Sequence, residues 1–317
     1  SIVKAWILRQ PVELQSQLHS WLDELLPVAL DKTFACSDFT VATTRGGLIW
    51  SILTHCQGSI TKEQFLVSLA RGATANLSSA SRIKVFEELF QHAGVRLPDP
   101  KNSVNVHYDA VTKTIKKFDF ANALDLTPES LISSSPCDRD SPVVPCLDVA
   151  MNTSMFLPWL ERGEPFIVVG PEGCGKSMLL RNALSSLRSV DVATVHCSAR
   201  TSAENIIQKI QQSCAAFSSS SGRVYRPKSA ERLILYLKDL NLPKPDKYDT
   251  IQLIAFLQQL ISYSGFYDGL EWVGLERIQV IASMNPATTI GRHQLTTRFT
   301  AICRIASIDY SPRDQLL

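Results

Sequence analysis

The chain has 317 residues, 45% of them apolar and 20% charged, with a formal net charge of +2. That is the balance of an ordinary globular protein with room for two domains, and it excludes a strongly basic nucleic-acid surface and a long acidic tail. No apolar run approaches the roughly 20 residues of a membrane span, and Lys4 and Arg9 interrupt the opening stretch, so it is not a secretion signal.

Residues 1–100 predict a small all-helical domain. Ile2, Val3, Trp6 and Ile7 recur at helical spacing, and Pro11 stands where a second helix starts, with Leu14, Leu18, Trp21, Leu22, Leu25 and Leu26 along it. Thr43-Thr44 caps a helix through Leu48, Ile49, Ile52 and Leu53 that Gly58 ends. Thr61 and Gln64 have capping-box spacing, Ser81 precedes Val85, Phe86, Leu89 and Phe90, and Gly94 stops the last helix. His19, His55 and His92 are isolated on these patterns and read as structural. The eight cysteines, at 36, 56, 137, 146, 174, 197, 214 and 303, include no CxxC pair and read as reduced thiols of an intracellular protein.

Pro98-Asp99-Pro100 breaks the chain, residues 105–118 alternate like a short strand pair, and 126–145 read as a Ser/Pro/Asp linker. From about 144 strands alternate with helices. Phe166–Val169, Val192–Val195, Leu233–Leu237, Arg277–Ala282 and Ala301–Ile308 predict five strands, with helices after the first strand, around Ile206–Ile210 and over Thr250–Tyr263. Ser218–Ser221 reads as a loop tip. The expectation is an α/β fold: a five-stranded parallel sheet between helices over 144–317, a connecting segment over 101–143 and the helical domain over 1–100. With no initiator Met and an end just after a strand, the chain reads as a piece of something longer.

Gly170-Pro171-Glu172-Gly173-Cys174-Gly175-Lys176-Ser177 matches GxxxxGK[ST] between a strand and a helix. Its glycines let backbone N–H groups wrap a polyphosphate, and the helix that follows, starting through Met178, adds positive potential. Lys176 is expected at the β/γ-phosphates of ATP or ADP, and Ser177 at Mg²⁺. The third strand should then end in an acid for the metal's water shell and a second acid to activate water. Here Lys238 takes the first position and Asp239 the second, one methylene short of Glu. Mg²⁺ binding is expected to be weakened and hydrolysis slow or absent. Asn285, at the end of the fourth strand, is placed to face a terminal phosphate. Arg298, on a helix before the last strand, is placed to reach a neighbouring subunit's nucleotide.

These residues together resemble the third AAA+ module of a dynein heavy chain. The likeness rests on Asn241-Leu242-Pro243, Asp246-Lys247-Tyr248-Asp249-Thr250, Gly265-Phe266-Tyr267, Trp272, Leu275-Glu276-Arg277-Ile278-Gln279, Asn285-Pro286, Gly291-Arg292 and Arg298-Phe299. Tyr236-Leu237-Lys238-Asp239 is similar to the class that drives retrograde intraflagellar transport. The resemblance implies a P-loop AAA+ large subdomain preceded by the second module's lid, Val144 and Pro145 packing on adenine, and Arg298 as an arginine finger. It implies neighbouring modules of the same heavy chain as partners, microtubule contact only through other parts, and a place in cytoplasm, cytoskeleton and cilium. Two alternatives remain: an active AAA+ remodelling ATPase of another, midasin-like family, and a nucleotide-free interaction scaffold.

Overall fold

The computed structural model describes residues 2–118, 146–219, 222–248 and 250–311. It opens with α1 (Ile2–Ile7), α2 (Val12–Cys36), α3 (Arg45–Cys56), α4 (Lys62–Thr74) and α5 (Ser79–His92). Thr44 and Thr61 cap α3 and α4 by accepting from the N–H of Gly47 (3.1 Å) and Gln64 (3.2 Å). The reciprocal arm of Gln64 reaches the Ile60 N–H at 3.0 Å rather than that of Thr61. α5 starts earlier than expected: its cap is Ser78, and Ser81 supplies the capped N–H. α2 runs straight through Pro27, which forfeits one backbone bond. Leu22, Leu25, Leu26, Ala29 and Thr33 are buried on both sides of it and hold the helix in place.

A hairpin of β1 (His107–Asp109) and β2 (Thr114–Lys116) follows, as the alternation predicts. Next come α6 (Leu147–Glu161), β3 (Phe166–Val169), α7 (Lys176–Ser185), β4 (Val190–His196), α8 (Ala203–Ser213), β5 (Cys214–Ser219), β6 (Gly222–Pro227) and β7 (Arg232–Lys238). The described chain closes with α9 (Gln252–Tyr263), β8 (Gly265–Asp268), β9 (Glu271–Leu275), β10 (Ile278–Met284), α10 (Thr297–Thr300) and β11 (Arg304–Ser307). The expected five-stranded sheet is present, all parallel, in the order β11-β3-β10-β7-β4. Registers such as Ala282 beside both Ile167 and Leu237 bring the carboxyl ends of the inner strands to one edge. Both faces are covered, so β3, β7 and β10 read as continuous apolar runs rather than alternating ones.

Two features were not foreseen. α6 buries Met155, Phe156, Trp159 and Leu160 although Pro158 lies inside it. A second sheet, β5-β6-β9-β8, takes in Ser218 and Ser219 at the end of β5, so these are not a loop tip; 220 and 221, like the expected linker 126–145, lie outside the described residues.

The helices of the first 92 residues share one core with one sheet face, where Phe166, Val168, Ile234, Tyr236, Ile281 and Ala306 point. The other face packs on α8, α9 and the second sheet. Polar contacts reinforce the helix-to-sheet joint. The Ser307 N–H donates to the Ala75 carbonyl at 2.7 Å, along the outer edge of β11, and Thr300 Oγ1 donates to the Ala42 carbonyl at 2.7 Å. Arg162 donates to the carbonyls of Thr54 and Gln57.

His55 sits inside this joint. Its Nε2–H donates to the Met155 carbonyl at 2.8 Å, and its ring stands edge-on to Trp159 with centroids 4.8 Å apart. Burial drives its pKa down to about 3, against an opposing pull from the Met155 bond. Above about pH 6.5 the ring is neutral folded and unfolded, and folding carries no penalty. Between about 6.5 and 3 only the unfolded chain takes the proton, so stability falls as pH falls. Moving from pH 7 to pH 5 is expected to cost about 2 kcal/mol through this residue. Denaturant melts of the chain and of His55→Gln check this: the variant should show a flatter pH profile in that window.

Candidate functional site

The loop after β3 is shaped by its glycines. A Cβ on Gly170 would lie 2.5 Å from the Ile308 carbonyl oxygen and 2.8 Å from Cys174 Sγ, so no side chain fits. Gly173 and Gly175 take positive φ of 77° and 87°, the left-handed region in which a side chain is strained. Gly175 is the N-cap of α7 and supplies no side-chain cap, leaving the helix's first turn to offer its N–H groups to an anion. Lys176 Nζ lies along the loop, donating to the carbonyls of Gly170 (2.7 Å) and Pro171 (2.6 Å), with Cys174 Sγ 3.8 Å away. Half-burial pulls the ammonium's pKa down; Cys174 and Asp239 oppose that shift, and Arg292 adds to it. Tyr310, past β11, donates from its hydroxyl to the Glu172 carbonyl at 2.6 Å and ties the loop to the next strand's end.

A cavity of about 440 Å³ opens on this loop, lined by Glu172, Gly173, Gly175, Lys176, Ser177, Met178, Asp239, Asn285 and Arg292. Three chain ends thus meet: the loop after β3, Asp239 just past β7, and Asn285 just past β10. Asn285 Nδ2 donates to Glu172 Oε1 at 3.0 Å, and Asn241 Nδ2 donates to the Asn285 carbonyl at 2.8 Å. Asp239 has a positive φ of 58°, and its Oδ1 forms an ion pair with Arg292 Nη1 at 2.8 Å. Arg292 is a site residue that sequence reasoning missed as a functional group. Gly291 before it was the available signal, and it takes φ 78° as the chain reverses.

A family model described as the P-loop containing dynein motor region matches residues 133–310. The chain belongs to this dynein motor family. A second model, the AAA+ ATPase domain of cytoplasmic dynein 2 heavy chain 1, matches residues 1–93. Cytoplasmic dynein 2 heavy chain 1 of Rattus norvegicus and of Homo sapiens are each 43% identical over 319 residues, covering 100% of the chain. The Mus musculus protein is 44% identical over 320 residues, again covering 100% of the chain. The chain spans 7% of the length of these relatives.

Within this dynein chain the remaining expected residues are dispersed. Lys238 does not line the loop cavity. It lines an adjoining one of about 380 Å³ with Ser177, Tyr236, Arg181 and Thr194, so Ser177 is common to both. Tyr236 and Lys238, two residues apart on β7, share a sheet face, and the ammonium lies 5.7 Å from the Tyr236 ring centroid. Arg298, exposed on α10, lines a separate cavity with Ile254, Gln258 and Gln294, away from the loop. Val144 and Pro145 lie outside the described residues.

The nucleotide that this family's AAA+ fold implies fits the uncapped helix start and the glycine cradle. Among the described residues no group of three or more His, Cys, Asp or Glu side chains is placed to hold a metal. Ser177 offers one neutral oxygen, Lys238 brings a cation to the same cavity wall, and the Asp239 carboxylate already faces a guanidinium. The seven described cysteines are all free.

Proposed function

We propose that this chain is a regulatory nucleotide-binding AAA+ module of a dynein heavy chain of the dynein 2 type. It holds ATP or ADP, hydrolyses ATP slowly or not at all, and gates microtubule-based retrograde transport in the cilium. In this reading 144–317 form the large subdomain, 101–143 connect, and 1–100 are the lid of the preceding module. The observation that carries it is the pairing of a complete phosphate cradle with a degraded acid pair. Lys238 stands on the Ser177 side of β7, and Asp239 is held by Arg292. Lys176 and the α7 N-terminus hold the phosphates, Asn285 faces the terminal phosphate, and Val144 and Pro145 pack on adenine. Arg298 serves nucleotide on a neighbouring module of the same heavy chain. The core shared by the helices and the sheet supports a gating role, because a change at the loop is transmitted through close-packed side chains. Cytoplasm, cytoskeleton and cilium are the locations this function requires.

Binding is tested by thermal melts with ADP and ATP. At a 100-fold excess over Kd, nucleotide adds about 2.7 kcal/mol of stability. A clear upward shift supports the reading, and no shift with either nucleotide favours the interaction scaffold.

The metal's part is tested separately. The affinity of the chain for ADP should change by less than about threefold on chelating Mg²⁺, while Lys238→Asp, which exchanges a cation for a carboxylate beside Ser177, should gain a dependence of about tenfold. Strong Mg²⁺ dependence in the unaltered chain would remove Lys238 from the account.

A further inference from the structure

Arg292 occupies a place that its pairing with Asp239 alone does not explain. Its side chain is 12% exposed, against 42% for its partner. Besides the 2.8 Å ion pair through Nη1, its Nη2 lies 4.0 Å from Glu172 Oε1, on the phosphate loop itself. The guanidinium therefore bridges the end of β7 and the loop after β3, on the wall of the cavity that Lys176 and Ser177 also line. Nη1 meets Asp239 at ion-pair distance without an aligned hydrogen bond, so the planar fork keeps donors in hand. The backbone carries it there by two reversals: Arg292 N–H donates to the Thr289 carbonyl at 3.1 Å, and His293 N–H to the Asn241 carbonyl at 3.0 Å.

A guanidinium binds carboxylate and phosphate with the same fork, so the two compete for it. A terminal phosphate carries more charge than one carboxylate. We propose that Arg292 reads the terminal phosphate in cis, leaving Asp239 for the γ-phosphate of a nucleoside triphosphate and staying on Asp239 with a diphosphate. This rests on the reading of the cavity as a nucleotide site and adds to it the means by which the site tells ATP from ADP. The exchange has two consequences. It frees the Asp239 carboxylate, while Asn285 Nδ2 still holds Glu172 at 3.0 Å. It also moves the segment that runs from Gly291 into α10, which bears Arg298 and, through Thr300, touches the Ala42 carbonyl in the connection between α2 and α3. The nucleotide's third phosphate is thereby converted into a displacement at the joint.

The test is calorimetric binding of ADP and of a non-hydrolysable ATP analogue to the 317-residue chain and to three variants. Arg292→Ala should weaken the ATP analogue about 10- to 100-fold, the loss of one or two charge-assisted hydrogen bonds, and leave ADP within about twofold. Arg292→Lys, keeping the charge without the fork, should fall between. Asp239→Asn releases the competitor and should tighten the ATP analogue a few-fold with ADP unchanged; it decides the matter if Arg292→Ala does not fold. Equal weakening of both nucleotides by Arg292→Ala, or no change in either, would overturn the proposal, as would a tightened ADP in Asp239→Asn. Failure of the unaltered chain to bind either nucleotide would instead overturn the nucleotide-site reading.

Discussion

Lys176→Ala is expected to lower affinity for ATP and ADP by about 100-fold or more while leaving the fold nearly intact. Its ammonium is the one cation of the loop itself, and it lies against the carbonyls of Gly170 and Pro171, within reach of any anion cradled by α7. Each hydrogen bond to a charged group contributes about 1.5–3 kcal/mol, and an ammonium on a polyphosphate makes at least two. Those it makes without nucleotide go to loop carbonyls at a half-buried position, where water can replace it at a cost below about 1 kcal/mol. Titration calorimetry beside a thermal melt separates the effects: lost binding with an unchanged melt is the expected pair. With the proposed roles, Lys176 for both nucleotides and Arg292 for the triphosphate alone, the two substitutions should differ in pattern as well as size.

Arg82→Ala should destabilise the chain by about 3–5 kcal/mol, the largest stability change expected from a single polar residue. Arg82 lies on α5, 6% exposed, and donates to the carbonyls of Thr74 (3.3 Å), Ala75 (3.2 Å), Leu77 (3.1 Å) and Ser307 (2.6 Å). Burial lowers its pKa to about 10, and the charge of Asp309 opposes that, so it stays a cation at neutral pH. Removing it takes a partner from four carbonyls: Thr74 and Ala75 keep the N–H groups of Leu77 and Ser307, while Leu77 and Ser307 lose the bond Arg82 made, each costing about 1–3 kcal/mol if water cannot reach it. Lys in its place carries the charge but not the planar fork, and should recover only part. Urea denaturation measures the loss. Because Ser307 ends β11 beside the phosphate loop, nucleotide affinity should fall in the same variant.

What the sequence disclosed was local. The loop from Gly170 to Ser177 announces itself because its glycines and Lys176 serve consecutive backbone positions, and Thr44 and Thr61 cap helices three residues away. The inner strands β3 and β7 were the most legible because burial on both faces leaves apolar runs, FIVV and LILYL. α6 was hidden by Pro158 and by the patternless stretch before it, although Met155, Phe156, Trp159 and Leu160 fall on one buried face. The second sheet was hidden because β6 finds β9 across more than forty residues. Lys238 and Asp239 were placed correctly at the end of β7, but not in one cavity, since the chain leaves the strand after Lys238 and turns at Asp239 with φ 58°. Arg292 was legible only as part of a resemblance, and its place in the cavity was hidden for a different reason. Its position follows from a reversal at Gly291 and a backbone bond between His293 and Asn241, two contacts that no spacing rule reports.

The central claim is that this dynein site holds nucleotide without turning it over at an appreciable rate. Steady-state phosphate release from the purified chain, at saturating ATP and Mg²⁺ and beside Lys176→Ala, tests it most directly. The account predicts that the two proteins release phosphate at indistinguishable rates although only the unaltered chain binds ATP. Release from the unaltered chain well above the Lys176→Ala background would contradict it.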